Sequence, residues 1–185
     1  VTYQTPASWK AADDTAVTGQ ARVQNVRLRF TIRNTSGSAA SNYNYRLQVS
    51  ESETSGFTDV PTQTGGPGSA VACITASTNF TNQEATTRQL SPPGSVTWTA
   101  GKMVEDPSNQ TDAITVNNNS FTEVEFNFKF TSNAQGSTTY YFRVANGATP
   151  LGSYTQVAPI TIGAVPSWDS YKGNYGDSGG TQDDT

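Results

Sequence analysis

The sequence predicts an all-β protein, a mostly antiparallel two-sheet sandwich, on three observations. Val26, Leu28, Phe30 and Ile32 alternate with Arg27, Arg29, Thr31 and Arg33, which is the period of a strand with one apolar and one polar face. The same period returns at Tyr43, Tyr45, Leu47 and Val49, at Val124, Phe126, Phe128 and Phe130, and at Tyr140, Phe142 and Val144. Turn chemistry separates these stretches, as in Asn34-Thr-Ser-Gly-Ser and Asn133-Ala-Gln-Gly, where Asn and Gly accept positive φ. At about 100° per residue a helix would smear each apolar set around its whole circumference. A half-apolar strand stays uncovered until a second sheet packs on it, so a sandwich follows.

The expected core is Val26, Leu28, Phe30, Ile32, Tyr45, Leu47, Val49, Val124, Phe126, Phe128, Phe130, Tyr140, Phe142 and Val144. Arg27, Arg29 and Arg33 are then expected on a solvated face, with Glu123 and Glu125 pairing to them across strands.

Taken in order, Thr5 to Lys10 is expected to be an extended first strand, with residues 1–9 available as an N-terminal connector. Gly19 closes the following loop, and the organising strand runs to Asn34. The next strand is expected over Asn42 to Ser50. Residues 51–89 form an elaborated loop region, because Pro61, Gly65, Gly66, Pro67 and Gly68 exclude helix and central strand. Val71, Ile74, Phe80 and Leu90 are expected to dip back to the core. Ser95 to Thr99 and Asp112 to Val116 are short strands, and Asn117 to Asn119 turn the chain into the strand ending at Phe130. Thr138 to Val144 follows, then Gln156 to Ile162, whose Pro159 favours an edge or bulged position. Residues 1–163 thus make one domain, and 164–185 an extended tail rich in Gly, Ser and Asp.

Composition excludes several classes. The 185 residues include 34% hydrophobic and 14% charged residues with a net charge of -4, so one sizeable β domain is affordable. Clustered Lys and Arg for a phosphate backbone are lacking, which argues against nucleic acid as a partner. No stretch reaches the roughly 20 apolar residues of a membrane-spanning segment. Cys73 is the sole cysteine, so the fold stands on packing without a disulfide, and a small buried thiol is expected there. Val1 in place of an initiator Met fits a processed, secreted product located outside the cell or at its surface.

Thr139-Tyr-Tyr-Phe-Arg-Val-Ala-Asn-Gly followed by Ser153-Tyr-Thr-Gln-Val-Ala-Pro-Ile-Thr-Ile resembles the last two strands of a fibronectin type III or immunoglobulin-like domain. More broadly, residues 15–49 and 123–162 resemble modules of large secreted bacterial surface proteins. That resemblance implies location and an immunoglobulin-like architecture, and it implies no reaction.

Histidine is absent, which removes the commonest general base, the Ser-His-Asp and Cys-His arrangements and the commonest zinc ligand. Carboxylate pairs remain, at Glu51 with Glu53, Glu105 with Asp106, and Glu123 with Glu125, but a solvated pair beside arginines is not the buried acid that glycosidase chemistry needs. The chain is therefore read as non-enzymatic, with no catalytic residue and no cofactor. Calcium is the one metal carried, on the loop acids Asp13, Asp14, Asp59 and Asp177. Sequons at Asn34, Asn79, Asn109 and Asn118 fall in turns, where a glycan would project into solvent. Trp9, Trp98 and Trp168 with Tyr141 would be the aromatic platform of a carbohydrate-binding module, although Trp9 and Trp98 are expected to fill the core.

The expected function is a structural subunit of an extracellular filament, with adhesion or carbohydrate binding as the alternative. Copies of the chain itself are the expected partners in a head-to-tail homopolymer, with glycans as further partners. The contacts are assigned to Val1 and Tyr3 in an extended N-terminal segment, and to Trp168, Tyr171 and Tyr175 as tail anchors, aromatic side chains being favoured in such interfaces.

Overall fold

A computed structural model describes residues 9–165. The expected tail is therefore described only at Ala164 and Val165, and most of the expected first strand lies outside the described residues. The strands are β1 (Val17–Gln20), β2 (Asn25–Asn34), β3 (Ala40–Tyr43), β4 (Tyr45–Ser50), β5 (Thr58–Asp59), β6 (Ala72–Ile74), β7 (Thr97–Trp98), β8 (Met103–Val104), β9 (Ile114–Val116), β10 (Ser120–Phe130), β11 (Thr139–Asn146), β12 (Thr149–Pro150) and β13 (Ala158–Ile162). No helix occurs among the described residues. The all-β architecture is as the alternation required.

One sheet has the order β1-β13-β11-β4-β5, with β12 on β11, and the other β2-β10-β6, with β7 and β8 also on β10. A separate ribbon joins β3 to β9. The two sheets pack face to face as a β-sandwich. Between the sheets lie Tyr45, Leu47 and Val49 from β4, Val124, Phe126, Phe128 and Phe130 from β10, Tyr140, Phe142 and Val144 from β11, and Ile160 and Ile162 from β13. Phe128 meets Phe142 at 4.7 Å between ring centroids, and Phe130 meets Tyr140 at 5.5 Å, so the aromatic rows of opposed strands interlock.

The strand residues expected in the core all face it, but Val26, Leu28, Phe30 and Ile32 of β2 are only half-buried. Of the loop residues expected to join them Val71 and Ile74 do, whereas Phe80 is buried against Arg27 on the other face of the sheet and Leu90 is half-buried away from the core. β2 ends its sheet, and no described strand lies beyond it to cover that row. β10 has the opposite fate. Its second edge is shared in succession by β7 at Ser120 and Phe121, β8 at Glu125 and Phe126, and β6 at Phe128 to Phe130.

The structure corrects three local expectations. Trp9 and Lys10 are not in a strand, and the first described strand is β1, at Val17–Gln20. Pro159 sits in an interior strand, because β13 lies between β1 and β11; β1 makes its first pair one residue later, at Ile160, so the missing N–H is not needed there. Neither tryptophan expected in the core fills it: Trp9 is 57% exposed, and Trp98 is half-buried on Phe121, on the face of β10 turned away from the core.

The two poles of the sandwich differ. Val23 donates its N–H to Phe130, Gly163 to Gln20 and Ser137 to Ile162, and Lys10 Nζ donates to Gln20 Oε1 at 2.6 Å. Residues 1–8 and 166–185 thus both adjoin described chain at the pole where β1, β10 and β13 end.

Two outcomes are expected from the core. Phe126→Ala should cost about 3–5 kcal/mol in urea unfolding, and Phe30→Ala distinctly less, since its ring is already half in solvent. Burial, and secondarily Tyr43, pushes the Tyr45 hydroxyl up to about 12 from 10.0. Because the folded state holds the neutral phenol, its contribution is complete below about pH 10 and lost as pH rises toward 12. Stability should fall by about 1.4 kcal/mol more between pH 9 and pH 11 in the parent than in Tyr45→Phe, measured by denaturant unfolding at each pH.

Candidate functional site

The densest cluster of ionisable groups lies on the face of β2 and β10 turned away from the core. Alternation along β10 sends Phe121, Glu123, Glu125 and Asn127 to this side. The register sets Glu125 opposite Arg29 and Asn127 opposite Arg27. Arg29 then reaches both acids, through Nε to Glu125 Oε2 at 2.6 Å and through Nη1 to Glu123 Oε2 at 2.9 Å. Arg27 Nε donates to the other oxygen of Glu125, and its guanidinium lies over the Phe80 ring at 5.2 Å.

The expected pairing across strands is present, but the face is not solvated. The Arg29 side chain is 2% exposed, and those of Glu123 and Glu125 are 0% and 4%. Only Arg33 stays outside, with Nη1 donating to the Pro93 carbonyl. The cover is the chain between Ala76 and Val104, part of which falls in the irregular loop region expected over residues 51–89. It is fastened by main-chain groups: Gln89 N donates to Glu123 Oε2 at 3.0 Å and Leu90 N to Oε1 at 3.0 Å. Arg29 Nη1 in turn donates to the Thr87 carbonyl at 2.7 Å. Thr86 Oγ1 donates to the Glu123 carbonyl and accepts from Gly101 N, both at 2.8 Å. A Cβ at Gly101 would stand 2.0 Å from the Glu123 carbonyl oxygen, so the approach of cover to sheet requires glycine there.

This arrangement binds chain to chain. Two guanidinium groups and two carboxylates balance in charge, and the Glu123 oxygens are engaged by Arg29 and two backbone amides. A buried acid serving as proton donor needs a path to a substrate, and here the cover fills that path. The other carboxylates of interest are dispersed. Glu51 and Glu53 are exposed, the Glu105 carboxylate accepts from Ser77 N, and Asp106 holds Thr64.

The remaining candidates do not converge. Asp59 is engaged by Arg46 and Gln48, each at 2.9 Å, while Asp13 and Asp14 are exposed and Asp177 lies outside the described residues. Among the described residues no group of three or more His, Cys, Asp or Glu side chains is placed to hold a metal ion. Asn34 is buried, and its Nδ2 donates at 2.7 Å to the carbonyls of both Ser38 and Val116, so the folded chain withholds the atom a glycan would join. Asn79 and Asn118 are exposed and Asn109 is half-buried. Trp98 packs edge-on against Phe121 at 5.2 Å, beside the start of β10. Trp9 lies at the other pole, so the two form no shared aromatic platform with half-buried Tyr141. Val1, Tyr3, Trp168, Tyr171 and Tyr175 lie outside the described residues.

Cys73 on β6 is buried, as a lone packed thiol was expected to be. Burial first, and then Asp106, push its thiol pKa up against the lowering effect of Lys129.

Arg29→Met should therefore destabilise the chain by about 3–5 kcal/mol by taking the ion-pair partner from buried Glu123 and one of two from Glu125, whereas Arg33→Met should change stability by less than about 0.5 kcal/mol. Urea unfolding of both variants checks this. Cys73 should resist a thiol-reactive chromophore at pH 8 in the native chain and react fully once the chain is unfolded. Comparison of the chain with protein-family models, with curated proteins and with solved structures finds no match.

Proposed function

We propose that the chain is a non-enzymatic structural subunit of an extracellular surface assembly or filament, its copies joined through terminal segments and sheet edges. The observation that carries this reading is the distribution of exposed apolar surface. Among the described residues the large hydrophobic side chains standing in solvent are Trp9, Val23 and Val165. All three belong to the pole where the terminal segments join the sandwich. Val23 is 66% exposed at a φ of 60°, a left-handed backbone that is unfavourable for a β-branched side chain. An apolar residue held in strain and in water is better suited to a contact between subunits than to the stability of one subunit.

Charge use supports the same reading. The acids and arginines that would make chemistry are locked between β10 and its cover, where they stiffen the domain. A subunit that transmits force along a polymer benefits from such cross-links between chain segments distant in sequence.

The test is assembly of the full chain over rising concentration, followed by sedimentation velocity and electron microscopy. Ordered head-to-tail polymers are expected, and a chain that stays monomeric throughout overturns the proposal. Val23→Asn supplies a sharper signature, since Asn tolerates the left-handed region. The variant should gain about 1 kcal/mol in stability yet assemble at a higher critical concentration than the parent.

A further inference from the structure

We propose that the outer edge of β2 is the acceptor for residues 1–8 of a neighbouring copy, added there as an extra strand. This rests on the filament reading and names its contact.

The argument starts from hydrogen-bond direction. Glu125 N donates to Lys102 O, Thr75 N to Asn127 O and Thr99 N to Phe121 O. The odd-numbered residues of β10 therefore turn their main-chain groups away from β2. In an antiparallel ladder the residues opposite them do likewise. Arg27, opposite Asn127, Thr31, opposite Glu123, and Arg33, opposite Phe121, thus present N–H and C=O outward at the rim of the sheet. Among the described residues no strand pairs with that rim.

The side chains repeat the message. Val26, Leu28, Phe30 and Ile32 point to the core yet stay half-buried, whereas the same row on β10 is wholly buried. The facing edge of the other sheet is β1, only four residues long against ten in β2. A slot open to main-chain pairing on one side and floored by apolar side chains is suited to an extended, alternating segment. Residues 1–5, Val-Thr-Tyr-Gln-Thr, have that pattern: Val1 and Tyr3 would turn to the apolar floor, and Thr2 and Gln4 away from it. They carry no charged side chain to bury.

A neighbouring copy is favoured over the chain's own segment by where residues 1–8 adjoin the described chain. Lys10 is tied to Gln20 on β1, at the rim of the other sheet. The link of residues 21–24, with exposed Val23, stands between that point and β2. An extended segment of eight residues reaches about 26 Å, enough to run along most of a neighbour's ten-residue strand.

The experiment titrates a fluorescent peptide of residues 1–8 into the chain lacking those residues, which keeps its core because no described residue before Val17 belongs to it. Saturable binding is expected, with amide exchange slowed at least about tenfold at Arg27, Thr31 and Arg33. Thr31→Pro removes an outward donor without touching the β10 ladder, and should weaken binding at least about tenfold. A peptide carrying Tyr3→Asp should fail in the same way, which tests the apolar floor without altering the fold. Absence of saturable binding up to about 1 mM peptide, or equal binding by Thr31→Pro, overturns the inference. So does slow exchange at the three amides in the dilute intact monomer, because the chain's own segment would then fill the slot. If full-length Thr31→Pro forms filaments like the parent, the β2 contact is wrong and the filament reading stands. If the peptide binds at β2 and the intact chain forms only closed dimers through that edge, the contact stands and the filament reading falls; if intact chains do not associate at all, both fall.

Discussion

The structure depends on burying β10 from both sides. One face of this strand carries Val124, Phe126, Phe128 and Phe130 into the core, and that alone would make an ordinary sandwich. The other face carries Glu123 and Glu125, which no apolar cover would tolerate. Arg29 removes the obstacle by pairing with both acids, and the residual oxygen capacity of Glu123 is taken up by the amides of Gln89 and Leu90. Once the charges are satisfied, the chain from Ala76 to Val104 can lie across the sheet. It brings β7 and β8 to the free edge of β10 as it does so. Remove Arg29 and the same cover would sit on a Glu123 held only by backbone amides, with no opposite charge to balance it.

That cross-link divides the molecule into a closed side and an open side. On the closed side the edge of β10 is occupied along most of its length, and Cys73, Ile74 and Ala72 are fully buried. On the open side no strand among the described residues pairs with the rim of β2, whose apolar row is half-covered. Trp9, Val23 and Val165 mark the adjacent pole. In the proposed filament this asymmetry would matter, because a heterologous contact joins two different surfaces, and only such a contact propagates without closing on itself.

Both ends of the sequence argument can be followed in particular residues. Val26 to Ile32, Tyr45 to Val49, Val124 to Phe130 and Tyr140 to Val144 were legible because a period of two with large apolar side chains has one structural solution, a strand facing a core. Cys73 as a packed thiol was legible from its isolation. The pairing of the arginines with Glu123 and Glu125 was legible too, since opposite charges on alternating strands of one sheet belong together. What was not legible was their burial. Local pattern reports that a face is polar, and it cannot report whether water or another segment lies against it.

The sequence by itself determined the fold class, the strands of the core and which side of each strand faces inward, because these follow from side-chain period and the need to hide apolar surface from water. Only the tertiary structure decided that the Arg-Glu face is interior, that the Asn34 side chain is a buried brace, that Pro159 lies in an interior strand, and that β2 is left at the rim among the described strands. Each of these depends on contacts between residues tens of positions apart, as Glu123 with Arg29 and Gln89, or Asn34 with Val116. Such contacts leave no period in the chain, since they are set by how sheets and loops pack in space and not by the order of neighbours along the backbone.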